Sequence, residues 1–144
     1  MAAGYSKTPL AKKLGIRERV AIVAVDAPDH YPELLAPLPE GAVIRHQLEG
    51  GRADSAAFVH VFAREHASLE AELPRLVQAL ARDGILWISW PKKAATRKSA
   101  AWATDLDGNR VRTLGLAAGL VDTKVCAIDE IWSGLKFVYR LEDR

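Results

Sequence analysis

Three apolar runs constrain the fold of this chain more than any other feature: RVAIVAV (19–25), AAFVHVF (56–62) and ILWISW (85–90). Each is rich in β-branched or aromatic residues and short enough to be one strand. They do not alternate strictly between apolar and polar residues, so each strand must be covered on both faces. Strands of that kind are typical of a parallel sheet lying between two layers of helices.

The segments between these runs predict short helices and one further strand. LAKKLG (10–15) is expected to be a helix that ends at Gly15, and 31–36 a brief second one. Leucines at helical spacing predict a helix that begins after a cap at Ser68, is kinked at Pro74 and ends at Asp83-Gly84. The remaining predictions are a strand over 42–47 broken by Gly50-Gly51, a loop over 91–104 and a helix over 105–118.

The last two apolar runs, 121–128 and 134–141, are separated by a connection too short for a parallel crossover. They therefore predict an antiparallel hairpin. With the earlier elements, this order predicts an α/β protein: a three-layer Rossmann-like sandwich with a mostly parallel six-stranded sheet and an antiparallel C-terminal hairpin. The expected strand order is 2-1-3-4-6-5. The whole, residues 1–144, is expected to be a single domain, with a basic segment and short helix over 1–18.

Charge is distributed unevenly, although the formal net charge is only +2. Residues 1–25 hold five basic residues against Glu18, 26–83 hold ten acidic and five basic residues, and 90–104 hold four basic and no acidic residues. This is compatible with a basic face or with solvated charges on mobile segments. Aromatic residues do not interleave with the basic ones, so nucleic acid is an unlikely partner.

No apolar stretch reaches the roughly 18 to 20 residues needed to span a bilayer, and the first residues lack the apolar core of a secretion signal. We therefore expect a cytoplasmic protein with no membrane partner. The single cysteine, Cys126, agrees with a reducing compartment and excludes a cysteine-rich metal site.

Three motifs, YSKTPLAKKLGI, WISWPKKA and VDTKVCAIDEIWSGLKFVYR, together resemble the bacterial domain-of-unknown-function family three-zero-five-two. The resemblance extends over nearly the whole chain and implies no particular chemistry. The order of elements, with a last strand that returns antiparallel, also resembles a reduced form of the methyltransferase fold that binds S-adenosylmethionine (SAM). The helix-poor link 48–55 suggests that one middle helix–strand unit is absent.

The turn after the first strand argues against a cofactor bound in the manner of that fold. Such turns are glycine-rich because a Cβ would keep the backbone away from the cofactor. Here the turn reads VDAPDHYPELL, without glycine and with Pro28 and Pro32, which lack backbone donors. We expect no cofactor.

Catalytic and metal motifs are also lacking in the sequence. The four histidines have no metal-ligand spacing, and His60, between apolar neighbours, is better interpreted as a core residue. Ser89 and Ser133 lie outside any nucleophile elbow. The sequence therefore predicts neither catalytic residues nor a metal site.

The candidate binding residues follow from where parallel strands end. Asp26, Arg64 and Lys92, with Lys93, follow three parallel strands, so their positions should be neighbours in a crevice at the carboxyl edge of the sheet. Trp132 is either an exposed partner anchor or a side chain folded over the sheet end. Cys126 is either a redox switch, with Lys124 nearby, or an inert core residue.

Two functions remain open from the sequence. The first is a non-catalytic regulatory or protein-interaction module, whose partner is another protein or a small anionic ligand held at the carboxyl edge. The alternative is a SAM-dependent methyltransferase with an altered cofactor loop. The absent glycines favour the first.

Overall fold

The structure, a computed structural model, describes residues 8–48 and 53–144. Gly50-Gly51 and the first residues of the basic segment lie outside these ranges. Along the chain the elements are α1 (Leu10–Leu14), β1 (Ala21–Val25), α2 (Tyr31–Leu35), β2 (Val43–Arg45), β3 (Ala56–Phe62), α3 (His66–Ala79), β4 (Leu80–Pro91), α4 (Lys93–Lys98), α5 (Gly108–Ala117), β5 (Leu120–Ala127) and β6 (Trp132–Tyr139). Short 3₁₀ turns follow α4 (Ala100–Trp102) and β6 (Leu141–Asp143).

The described strands form one six-stranded sheet in the order β2-β1-β3-β4-β6-β5. The pairs β2–β1, β1–β3 and β3–β4 are parallel, whereas β6 is antiparallel to both β4 and β5. The predicted fold class and strand order are therefore confirmed. Non-alternating apolar runs predicted strands that are covered on both faces. β3 and β4, in the middle of the sheet, are indeed buried over nearly all of their predicted apolar runs.

Two apolar clusters cover the two faces of the sheet, one on each face. Because both faces are apolar, helices cover both, and the fold has three layers. One contains the leucines of α3 and Leu114 of α5 together with Val59, Leu86 and Phe137. The other contains Leu14 of α1 and Tyr31 of α2, packed with Phe58 and Trp87. The indole N–H of Trp87 donates to the main-chain oxygen of Leu14 at 2.9 Å and thus fixes α1 on the sheet.

Several boundaries differ from the sequence prediction. The third helix begins at His66, not after Ser68, because the Asp105 carboxylate accepts a hydrogen bond from the His66 N–H at 2.7 Å and replaces a local cap. It continues through Pro74 and ends at Ala79. Asp83-Gly84 lies inside β4, where a Cβ at Gly84 would come within 2.9 Å of the Ala56 oxygen.

The prediction of a loop over 91–104 is wrong. Residues Lys93–Lys98 form α4, followed by a 3₁₀ turn. Six residues are too few for a helix to be stable alone. The burial of Ala95 against the domain provides the stabilisation that the local sequence lacks.

Candidate functional site

A crevice of about 520 Å³ opens where β1 and β3 end, next to each other. The chain continues from β1 to β2 on one side, whereas β3 is followed by β4 on the other. Such a reversal of strand order leaves a gap at the carboxyl edge, and open α/β sheets bind ligands there. The volume lies within the range of small-molecule sites.

The crevice contains three of the residues predicted from the sequence, Asp26, Arg64 and Trp132. It does not contain Lys92 or Lys93. Sequence reasoning missed several of its other lining residues, which come from the loop after β1, from α3 and from the 3₁₀ turn: Pro28, Glu65, Ser68, Glu72 and Trp102. Glu65 directly follows Arg64 and could have been found by the same strand-end argument. Trp102 could not, because its segment was predicted to be a loop.

Asp26 is the first residue after β1 and reverses the chain direction there. Its φ of 57° is left-handed, a conformation that aspartate tolerates better than most residues. This sharp turn leads to Pro28 in the crevice wall and to the short helix α2.

Arg64 links the end of β3 to the segment after α4. Its guanidinium donates to the Ala101 oxygen at 2.6 Å, and its main-chain oxygen accepts from the Thr104 hydroxyl at 2.6 Å. The positive charge therefore lies at the crevice, with part of its hydrogen-bonding capacity already used by the protein.

Trp132 is only 5% exposed, so it is folded over the sheet end and does not form an exposed anchor. Its ring meets Phe62 and Trp102 edge-to-face, with centroids 5.0 and 5.7 Å away. Its backbone N–H donates to the Asp129 carboxylate at 2.7 Å. Among the described residues, its indole N–H has no hydrogen-bond partner.

The Asp129 carboxylate also forms a hydrogen bond to the loop after β1. Asp129 accepts from the Ile131 and Trp132 N–H groups through one oxygen, and its other oxygen lies 3.0 Å from His30 Nε2. Since His30 belongs to the loop after β1, this contact joins that loop to the β5–β6 connection. The position of Trp132 is thereby fixed relative to the crevice.

The charge of the crevice does not favour an anion. Three carboxylates, Asp26, Glu65 and Glu72, face one guanidinium, Arg64, in the lining. Glu72 is paired with Arg75 at 2.7 Å, whereas Asp26 and Glu65 form no ion pair within the described part of the chain. The expectation of an anion in this crevice was based on Lys92 and Lys93 together with Arg64, and of these only Arg64 lines the crevice.

Lys92 is directed away because β4 continues through Pro91, which pairs with Trp132 of β6. The Lys92 N–H then donates to the Ile131 oxygen at 2.7 Å, beside the hairpin and not beside β3. Lys93 lines a separate groove between α4 and α5. The predicted cluster of Asp26, Arg64 and Lys92 is thus only partly formed.

Behind the crevice, a buried chain of two side-chain hydrogen bonds connects α2, β3 and β4. The Tyr31 hydroxyl is 2.8 Å from His60 Nδ1, and His60 Nε2 is 2.7 Å from the Ser89 hydroxyl. Burial lowers the pKa of His60 from 6.5 to about 3 and raises the pKa of Tyr31. His60 is therefore a neutral, satisfied core residue, and Tyr31 holds α2 against the sheet.

Cys126 is 8% exposed and lies in β5, opposite Gly134 of β6. The Lys124 ammonium donates to the Lys13 oxygen at 2.9 Å, so its bond connects β5 to α1. This geometry favours the interpretation of Cys126 as an inert packed residue over a redox switch.

Within residues 8–48 and 53–144, no group of three or more His, Cys, Asp and Glu side chains has an arrangement that could hold a metal ion. No helix in those ranges combines the length and apolar character that a bilayer span requires.

The fold is a methyltransferase-like α/β fold, and several solved structures share it. A putative type 11 methyltransferase from Sulfolobus solfataricus superposes with a TM-score of 0.62 at 11% identity, over 91% of this chain and 89% of that one. A SAM-dependent methyltransferase from Aquifex aeolicus gives 0.58 at 13% identity, over 88% and 85%.

A possible exported protein from Bordetella parapertussis has a TM-score of 0.61 and 11% identity, over 90% of this chain but only 64% of its own. At these identities the likeness shows the fold alone. No protein-family model matches the sequence, and no curated protein sequence matches it.

Proposed function

We propose that this chain is a non-catalytic interaction module built on a methyltransferase-like fold. The observation that carries the proposal is the connection between β1 and α2. Pro28 occupies the crevice wall where a glycine-rich turn would let a cofactor approach the backbone. Pro28 and Pro32 also lack N–H groups, so this connection offers few donors to a ligand.

The packing of α2 against the sheet supports the same proposal. The helix has only five residues, and its first, Tyr31, is fully buried and hydrogen-bonded to His60. A cofactor that needed this loop to move outward would have to expose Tyr31 and leave Nδ1 of His60 without its hydrogen-bond partner. Burying a polar group without its hydrogen bond is costly, about 1–3 kcal/mol.

Calorimetric titration with SAM tests this proposal. We expect no saturable heat at physiological concentrations, with the protein checked by thermal melting before and after the titration. A dissociation constant near or below about 10 μM, roughly 7 kcal/mol of binding free energy, would contradict the non-catalytic role.

One observation favours a second candidate, a SAM-dependent methyltransferase with an altered cofactor loop. Asp26 and Glu65 lie in the crevice without an ion-pair partner in the described ranges, and Trp102 and Trp132 line it as well. Carboxylates and indole rings suit a sulfonium cation such as SAM.

This candidate predicts a difference between SAM and its demethylated product, which has lost the sulfonium charge. SAM should quench the fluorescence of the crevice tryptophans at lower concentration than the product does. The Asp26→Asn variant should reduce that difference. If neither compound changes the fluorescence of the wild type, the second candidate fails and the first stands.

The motif resemblance to the bacterial domain-of-unknown-function family three-zero-five-two, which no family model bears out, is the reason that the proposal includes a bacterial, cytoplasmic setting. The single, buried Cys126 is consistent with a reducing compartment. Native mass spectrometry of the protein purified from its own host would reveal a retained protein partner, which the interaction role requires.

A further inference from the structure

A second groove, of about 540 Å³, lies between α4 and the beginning of α5, and it shares no lining residue with the crevice. Its apolar side includes the buried side chains of Trp90 and Leu106. Three exposed cations line it from the two helices: Lys93, Arg97 and Arg110.

The cations around this groove are not neutralised within the described part of the protein. Lys92 and Lys98 lie on the same segment as Lys93 and Arg97, and 90–104 contains no acidic residue. None of these four side chains, nor that of Arg110, forms an ion pair with another described residue. Their charge is therefore available to a ligand.

The two carboxylates that also line the groove already serve as helix caps. Asp105 accepts from the His66 N–H at 2.7 Å, at the start of α3. Asp107 accepts from the Arg110 N–H at 2.8 Å, at the start of α5. Their presence between the cations makes the groove unsuitable for a compact, multiply charged anion, which would meet both carboxylates.

The position of the lysines is unfavourable for the helix that carries them. Lys92 and Lys93 stand at the cap and first position of α4, and its first turn has no acidic residue. Positive charge at a helix N-terminus opposes the helix dipole. The lysines therefore lower the stability of the helix that carries them. Residues that are unfavourable for local structure are expected where a binding surface requires their charge.

We propose that this groove docks an acidic segment of a partner protein, with an apolar side chain of that segment against Trp90. An extended segment can place its carboxylates beside α4 and Arg110 while avoiding Asp105 and Asp107. The proposal specifies the partner of the interaction module proposed above. Because crevice and groove have separate linings, the SAM titration and the peptide experiment below can fail independently.

The test is fluorescence anisotropy with a fluorescein-labelled peptide in which glutamates flank a leucine–phenylalanine pair. We expect saturable binding that weakens as salt is raised. The Lys93→Glu/Arg97→Glu variant should weaken it by about tenfold or more. Of these changes, Lys93→Glu favours the helix dipole and Arg97→Glu opposes it, so their effects on α4 should largely cancel.

The matched control is Lys12→Glu/Arg17→Glu, which alters net charge equally at exposed residues outside the groove. It should change the affinity by no more than about twofold, since the lost attraction is at long range and screened. A peptide with glutamine in place of glutamate should not bind. If the first variant does not fold, Lys93→Gln/Arg97→Gln replaces it, with the same expected direction.

Three results would overturn the proposal. One is the absence of saturable peptide binding to the wild type, and another is an equal loss in the two double variants. The third is displacement of the peptide by a single-stranded oligonucleotide at lower concentration than by unlabelled peptide, which would make the groove a nucleic-acid surface.

Discussion

His60 is fully buried in β3, with both ring nitrogens hydrogen-bonded, to Tyr31 and to Ser89. Its pKa of about 3 lies below the ordinary value of 6.5, because burial disfavours the charged ring. Between these two values the unfolded chain binds a proton that the folded protein does not. The stabilisation is therefore complete above pH 6.5 and is lost as the pH falls toward 3.

We predict that this residue contributes a slope of about 1.4 kcal/mol per pH unit to the free energy of unfolding in that window. Urea denaturation from pH 7 to pH 4 measures the slope in the wild type and in His60→Gln. Surface carboxylates contribute to both proteins and cancel in the difference. Parallel pH profiles in the two proteins would show that His60 is not the group that titrates.

At the scale of elements, the packing of α5 on β6 depends on Gly115. A Cβ there would overlap the ring of the fully buried Phe137. The sequence around Gly115 gives no sign of this requirement, because the residue that imposes it, Phe137, belongs to β6.

We predict that Gly115→Ala lowers the free energy of unfolding by about 1–3 kcal/mol, the usual cost of overpacking, despite the better helix propensity of alanine. Gly108→Ala is the control in the same helix, because its Cβ would lie 3.6 Å from Trp90, an ordinary contact. Chemical denaturation should find that variant unchanged or slightly more stable. A similar loss in both variants would contradict the packing argument.

Element prediction succeeded where the signal is local and failed where it is tertiary. β3 and β4 contain apolar runs rich in β-branched and aromatic residues, so both strands could be predicted from their own sequence. The start of α3 depends on Asp105, nearly forty residues later, and α4 depends on the burial of Ala95. The residues next to the start of α3 and those of α4 therefore do not predict these two features.

For the whole molecule, strand order was predictable because connection lengths and the C-terminal hairpin restrict the topology. The site was only partly predictable for a related reason. Asp26 and Arg64 lie in the crevice because each comes within two residues of the end of one of two neighbouring parallel strands. Lys92 does not, because the pairing of Pro91 with β6 carries the chain toward the hairpin. Without Lys92 the crevice lining has more carboxylates than cations and does not favour the anion that was expected.

The thiol of Cys126 reports on the stability of the whole sheet. It belongs to the apolar cluster that includes Ile128 and Trp132, and its eight-residue strand pairs with β6 over most of its length. A reagent should reach it only when that cluster opens, so we predict slow alkylation in the native protein and fast alkylation in the unfolded chain. The native rate should rise with urea as steeply as global unfolding does. A rate independent of urea would instead mean local fraying of β5, and labelling at the unfolded rate would restore Cys126 as a redox candidate.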